Sequence, residues 1–148
     1  MTHVRRTAFA LGFAGLLPQM TAVAFALGHD PVAPIAALAY GLLILSFLGG
    51  IWWGFAMQRA ADPAQGRLAL VAVVPSLVAF AIVFATFHTG RLDWGLVATG
   101  VALLLSLPVD RALGRRGDVP GEWMRLRVPL SVGLGALTIL TGWIVAPA

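Results

Sequence analysis

Apolar residues run along this chain in five long blocks separated by short polar breaks, near 7–27, 35–57, 68–87, 92–109 and 128–146. Each block approaches the roughly 20 residues that an α-helix needs to cross a hydrocarbon core about 30 Å thick. None shows the strict alternation of a half-buried strand. The pattern predicts an all-α integral membrane protein, a bundle of five transmembrane helices that makes residues 1–148 a single membrane domain. The longest break, 110–127, is too short for a soluble domain and is expected to be a loop on the cytoplasmic side.

Composition supports the same class. The chain is 59% hydrophobic and 11% charged, with a mean hydropathy of +0.91, whereas a soluble domain is about a quarter charged. A net charge of +4 and a pI near 11.4 would suggest nucleic acid on a soluble protein. Threading the five blocks alternately gives another reason for the charge. Arg5, Arg6, Arg59, Arg67, Arg111, Arg115, Arg116, Arg125 and Arg127 fall on one face and Arg91 alone on the other. Cytoplasmic loops accumulate basic residues. The expected orientation is therefore N-terminus cytoplasmic and C-terminus periplasmic, in a multi-pass protein of a bacterial inner membrane with no nucleic-acid partner. The first block follows Arg5-Arg6 as a signal peptide would. At 21 residues it is long for a signal core of roughly 7–15, so a retained helix is expected.

Within the blocks, several positions stand out. Pro18 with Gln19, and Pro75 with Ser76, sit at similar depths in two helices that run the same way. Each proline removes a backbone bond, and membrane helices tolerate this where a neighbour satisfies the freed group. These four residues are candidates for kinks or a cavity. Ser46, Gly50 and Gly54 recur every four residues in the second block, a spacing that lets helix backbones approach closely. With Gly49 widening the groove, they are expected to form a packing face, inside the bundle or between copies of the chain. Ser131 and Gly135 offer a weaker version. Trp52, Trp53, Trp94 and Trp143 lie near block ends, where aromatic residues anchor helices at membrane interfaces.

Asp110 ends the fourth block among Arg111, Arg125 and Arg127. A carboxylate at that depth needs a cationic partner to offset its desolvation. The expected arrangement is a clasp between Asp110 and Arg125 or Arg127, with a substrate or lipid-headgroup site as the alternative. Residues Pro120 to Arg127 read as a short interfacial helix whose Trp123 and Leu126 enter the headgroup layer.

Catalytic signatures are absent: there is no HExxH, no phosphate loop and no nucleophile elbow. No ionisable residue lies at mid-depth, where proton-coupled pumps carry their relay. Cysteine is absent, which excludes disulfides and thiolate metal sites. His29, Asp30, His88 and Asp93 are adequate metal ligands in type, but nothing in the sequence constrains them to meet. Neither a metal nor a cofactor is expected.

One block is distinctive. Tyr40 and Ile44-Leu-Ser-Phe-Leu-Gly-Gly-Ile-Trp-Trp-Gly54 resemble the signature of an uncharacterised family of small bacterial membrane proteins related to mitochondrial transmembrane protein 69, which carry a domain of unknown function. Leu11-Gly-Phe-Ala-Gly-Leu-Leu-Pro18, Val74-Pro-Ser-Leu77, Asp110 and Pro120, Trp123, Leu126 and Arg127 follow the family's other blocks in order. Trp52 departs from it, since relatives often place a histidine or another polar residue there. The resemblance implies an integral membrane protein without an assigned reaction. Together these readings predict a non-enzymatic accessory, assembly or scaffolding factor. It would be embedded in membrane lipids and associated with a larger membrane complex or with itself. A small transporter or a binder of apolar ligands or lipid is the alternative.

Overall fold

The computed structural model describes residues 3–59, 63–117, 119 and 122–147. These form helices only: α1 (His3–Ala14), α2 (Leu17–Leu27), α3 (Ala33–Met57), α4 (Pro63–Thr89), α5 (Leu92–Arg116) and α6 (Trp123–Ile144). Five segments are long and apolar enough to cross a membrane, the first being Phe9–Leu27, which takes in most of α1 and all of α2. The chain is a multi-pass membrane protein.

The first span is two helices because of Pro18. Its ring clashes with the carbonyl four residues back, at Ala14, and α1 ends there. Backbone N–H groups of Gly15 and Leu16 close tight turns onto the carbonyls of Gly12 and Phe13. Pro18 then occupies the first turn of α2, where its missing N–H costs nothing. The Tyr40 hydroxyl of α3 donates to the Gly15 carbonyl at 2.6 Å, satisfying a group that the break exposes. Pro75 behaves differently, lying buried inside an uninterrupted α4.

Helix ends depart from the expected ones on the arginine-rich side. α5 continues to Arg116, and Gly117 stops it with a left-handed φ of 73°, a conformation that glycine adopts without steric cost. α6 begins at Trp123. The expected loop over 110–127 is thus mostly helix, and Trp123 to Arg127 form the first turn of α6 in place of a separate interfacial helix. Pro120 lies outside the described residues.

α5 and α6 pack most extensively, followed by α3 and α4. The main core gathers Leu38, Leu42, Leu45, Leu96, Leu103 and Leu134; a second cluster at the arginine-rich end holds Trp52, Ala56, Leu68, Ala72 and Leu113. α4 lies at the edge, with Leu70, Leu77, Phe80, Phe84 and Phe87 exposed, which in a bilayer means facing lipid.

Close backbone approach falls on a different face of α3 from the one expected. A Cβ on Gly49 would stand 2.5 Å from the Ala72 carbonyl oxygen of α4, whereas Gly50 and Gly54 have nothing within 4 Å. Of these three glycines, then, Gly49 packs inside the bundle, and Gly50 and Gly54 open outward. One residue along a helix turns the side chain by about 100°, enough to exchange the two faces. Ser46 does meet α4, sharing a hydrogen bond with Ser76 at 2.9 Å. Gly100 of α5 and Gly135 of α6 meet reciprocally: a Cβ on either would come within 3.0 Å of the other's carbonyl oxygen.

Candidate functional site: a buried polar cluster at the arginine-rich end

Three helices each bring two residues, one turn apart, to a common point. α5 supplies Ser106 and Asp110, α6 supplies Trp123 and Arg127, and α3 supplies Trp52 and Phe55. Residues three or four apart share a helix face, so the cluster follows from that period once the helices are docked.

Asp110 is fully buried. Its Oδ2 accepts from Arg127 Nε at 2.8 Å and lies 2.7 Å from Nη2 in the same ion pair. Its Oδ1 accepts from the indole Nε1 of Trp52 at 3.0 Å and of Trp123 at 3.1 Å. Arg127 has a side chain only 5% exposed, and its Nη2 also donates to Ser106 Oγ at 3.0 Å. The Ser106 hydroxyl itself donates to the Leu103 carbonyl at 2.7 Å. The guanidinium lies 5.8 Å from the centre of the Trp123 ring, within the range of a cation–π contact. Phe55 meets the same ring edge-on at 5.4 Å.

Both oxygens of the carboxylate are therefore engaged by donors from two other helices. An ion pair held this far from water needs additional hydrogen bonds to offset its desolvation, and here the two indoles and Ser106 supply them. Arg125 does not take part; it points outward and pairs with Glu122 at 3.4 Å. Sequence reasoning placed Trp52 and Trp123 at the membrane interface and missed Ser106. The available signal was the spacing of four residues from Ser106 to Asp110 and from Trp123 to Arg127.

The kink residues do not share one cavity. Gln19 is fully buried and donates through Nε2 to Thr138 Oγ1 at 2.8 Å. The Thr138 hydroxyl in turn donates to the Leu134 carbonyl at 2.7 Å. Ser76 bonds Ser46 on another flank of the bundle. Pro18 is exposed, beside a shallow groove with Thr21 and Phe25, while Pro75 packs near Gly49. Two contacts between separate helix pairs replace the expected shared lining.

At the opposite end, the residues weighed as metal ligands have other work. Asp30 accepts the backbone N–H of Val32 at 2.8 Å and of Ala33 at 3.2 Å, capping α3. His88 stacks on Phe84. Asp93 accepts from Arg91 Nε at 3.0 Å and Nη2 at 2.7 Å. That hydrogen-bonded pairing pushes the Arg91 guanidinium above its ordinary pKa, so it stays charged.

Residues 4–143 match the family model described as "Protein of unknown function (DUF3429)". The chain is also 35% identical over 103 residues to Transmembrane protein 69 of Xenopus tropicalis, a stretch covering 66% of this chain and 41% of that protein. It thus spans less than half the length of that relative. No solved structure matches. The chain belongs to the DUF3429 family, whose function is unknown.

Proposed function

We propose that this member of the family is a non-enzymatic accessory protein of a bacterial inner membrane. It holds its N-terminus in the cytoplasm and acts in the assembly or scaffolding of a larger membrane complex. The observation that carries this reading is the engagement of both Asp110 oxygens inside the bundle. Its carboxylate is committed to Trp52, Trp123 and Arg127, so it is spent on joining α3, α5 and α6. A reacting carboxylate would need an open face for substrate. The mid-depth polar groups support the same view, because Gln19 and the pair Ser46–Ser76 fasten separate helix contacts and do not line a common path. Orientation rests on the basic residues: Arg59, Arg67, Arg111, Arg115, Arg116 and Arg125 lie at helix ends on one side and Arg91 on the other, the asymmetry that marks a cytoplasmic face.

The test is purification of the tagged chain after crosslinking in intact membranes, with mass-spectrometric identification of what it carries. A defined set of integral membrane proteins, recovered in stoichiometric amount, is the expected outcome. Recovery of the chain alone, crosslinked to no other protein, would overturn the accessory role.

A further inference from the structure

On the side of the bundle opposite the arginine cluster, α4 and α5 enclose a groove of about 530 Å³, lined by residues that include Val78, Ile82, Ala85 and Ala98. The two helices touch near their turn, where Gly95 lies against Thr86; a Cβ there would clash with the threonine hydroxyl. Ala81, Ala85 and Ala98 are short, so the space between α4 and α5 stays unfilled below that contact. The groove belongs to two membrane-spanning helices, and its apolar walls give water too few partners to fill it.

Its dimensions and rim select the occupant. On α4 the lining runs from Val78 to Thr89, about 16 Å at 1.5 Å per residue, or half of a hydrocarbon core about 30 Å thick. That is the depth of one leaflet. At the rim stand Arg91 and Trp94, the guanidinium 5.6 Å from the centre of the indole ring. Arg91 is half exposed, and Asp93 engages its Nε and Nη2. A guanidinium carries five N–H donors, so the two on Nη1 are left by that pair. The Asp93 carboxylate is turned inward, in the first turn of α5, where the helix dipole favours it. The remaining Nη1 donors above an apolar slot one leaflet deep complement a phosphate above an acyl chain.

We infer that the α4–α5 groove is a phospholipid site, holding one acyl chain against Ala81, Ala85 and Ala98 with the lipid phosphate on Arg91 Nη1. The site stands apart from the accessory role, since its lining and rim lie within this chain and call for no protein partner.

Native mass spectrometry of the full chain in detergent, with added phosphatidylglycerol or with diacylglycerol, which lacks the phosphate, tests it. Wild type should retain phosphatidylglycerol in preference to diacylglycerol. Ala85→Phe fills the slot from an exposed position and should lower retention of both by about tenfold, equivalent to about 1.4 kcal/mol. Arg91→Gln should abolish the preference while leaving diacylglycerol binding in place. Leu43→Phe places the same ring at a lipid-facing residue away from the groove and should change nothing. Retention unaltered by Ala85→Phe, or lost equally in Leu43→Phe, would overturn the site. So would a dimer that Ala85→Phe dissociates while lipid retention stays unchanged, because the groove would then be an interface between copies.

Discussion

Asp110→Asn is the most demanding perturbation of the bundle, because it preserves shape and removes one charge. The asparagine oxygen can still accept from the indoles of Trp52 and Trp123. Its amide nitrogen, however, then faces Arg127 Nε and Nη2, which held the carboxylate at 2.8 and 2.7 Å. Donors would confront donors, and Arg127, with its side chain 5% exposed, would keep Ser106 and the Trp123 ring as partners. Breaking a buried pair from one side costs about 3–5 kcal/mol, whereas an exposed pair is worth about 0–1. The complete burial of Asp110 places this pair in the first class. The unfolding equilibrium should therefore shift by two to three and a half decades, at about 1.4 kcal/mol per decade. Titration with sodium dodecyl sulfate from mild-detergent micelles, followed by circular dichroism, measures it. Asp110→Asn combined with Arg127→Gln removes the stranded charge and lets the two amides bond each other, so it should recover at least half of the loss. A single-variant loss below about 1 kcal/mol would show that water reaches the pair and refute the argument. A double variant no more stable than the single one would do the same.

Other positions give independent checks. Gly49→Leu should destabilise by about 1–3 kcal/mol or more, the cost of overpacking, because its side chain must displace the α4 backbone; Gly50→Leu should stay within about 0.5 kcal/mol. The same titration decides, and equal effects would show that α3 is not seated on α4 through Gly49. Trp52→Phe removes a hydrogen bond to a charged acceptor, worth about 1.5–3 kcal/mol, while Trp53→Phe, at an exposed neighbour, should cost under about 0.5 kcal/mol. For topology, alkaline phosphatase fused after Ala148 should be active and a cytoplasmic reporter at the same point silent. The reverse pattern would overturn the proposed orientation.

Membership of the class was legible from the chain because the cost of exposing backbone to hydrocarbon leaves little choice but long apolar helices. The five blocks, a kink candidate at Pro18 and the need of Asp110 for a cation all follow from local chemistry, whereas the break at Pro18 and the unbroken helix at Pro75 emerged only in the structure. What the chain could not disclose is which face of each helix meets which neighbour. In water an apolar stripe marks the buried side; here lipid is as apolar as leucine, so both sides of a span look alike. The choice between Gly49 and Gly50, adjacent and chemically identical, was made by the docking of α4 alone. The same docking turned Trp52 inward onto Asp110 and left Trp53 facing out. The packing of α6 on α5 settled which arginine reached the carboxylate, because the first turn of α6 aims Arg127 at α5 and sends Arg125, two residues earlier, to the far side.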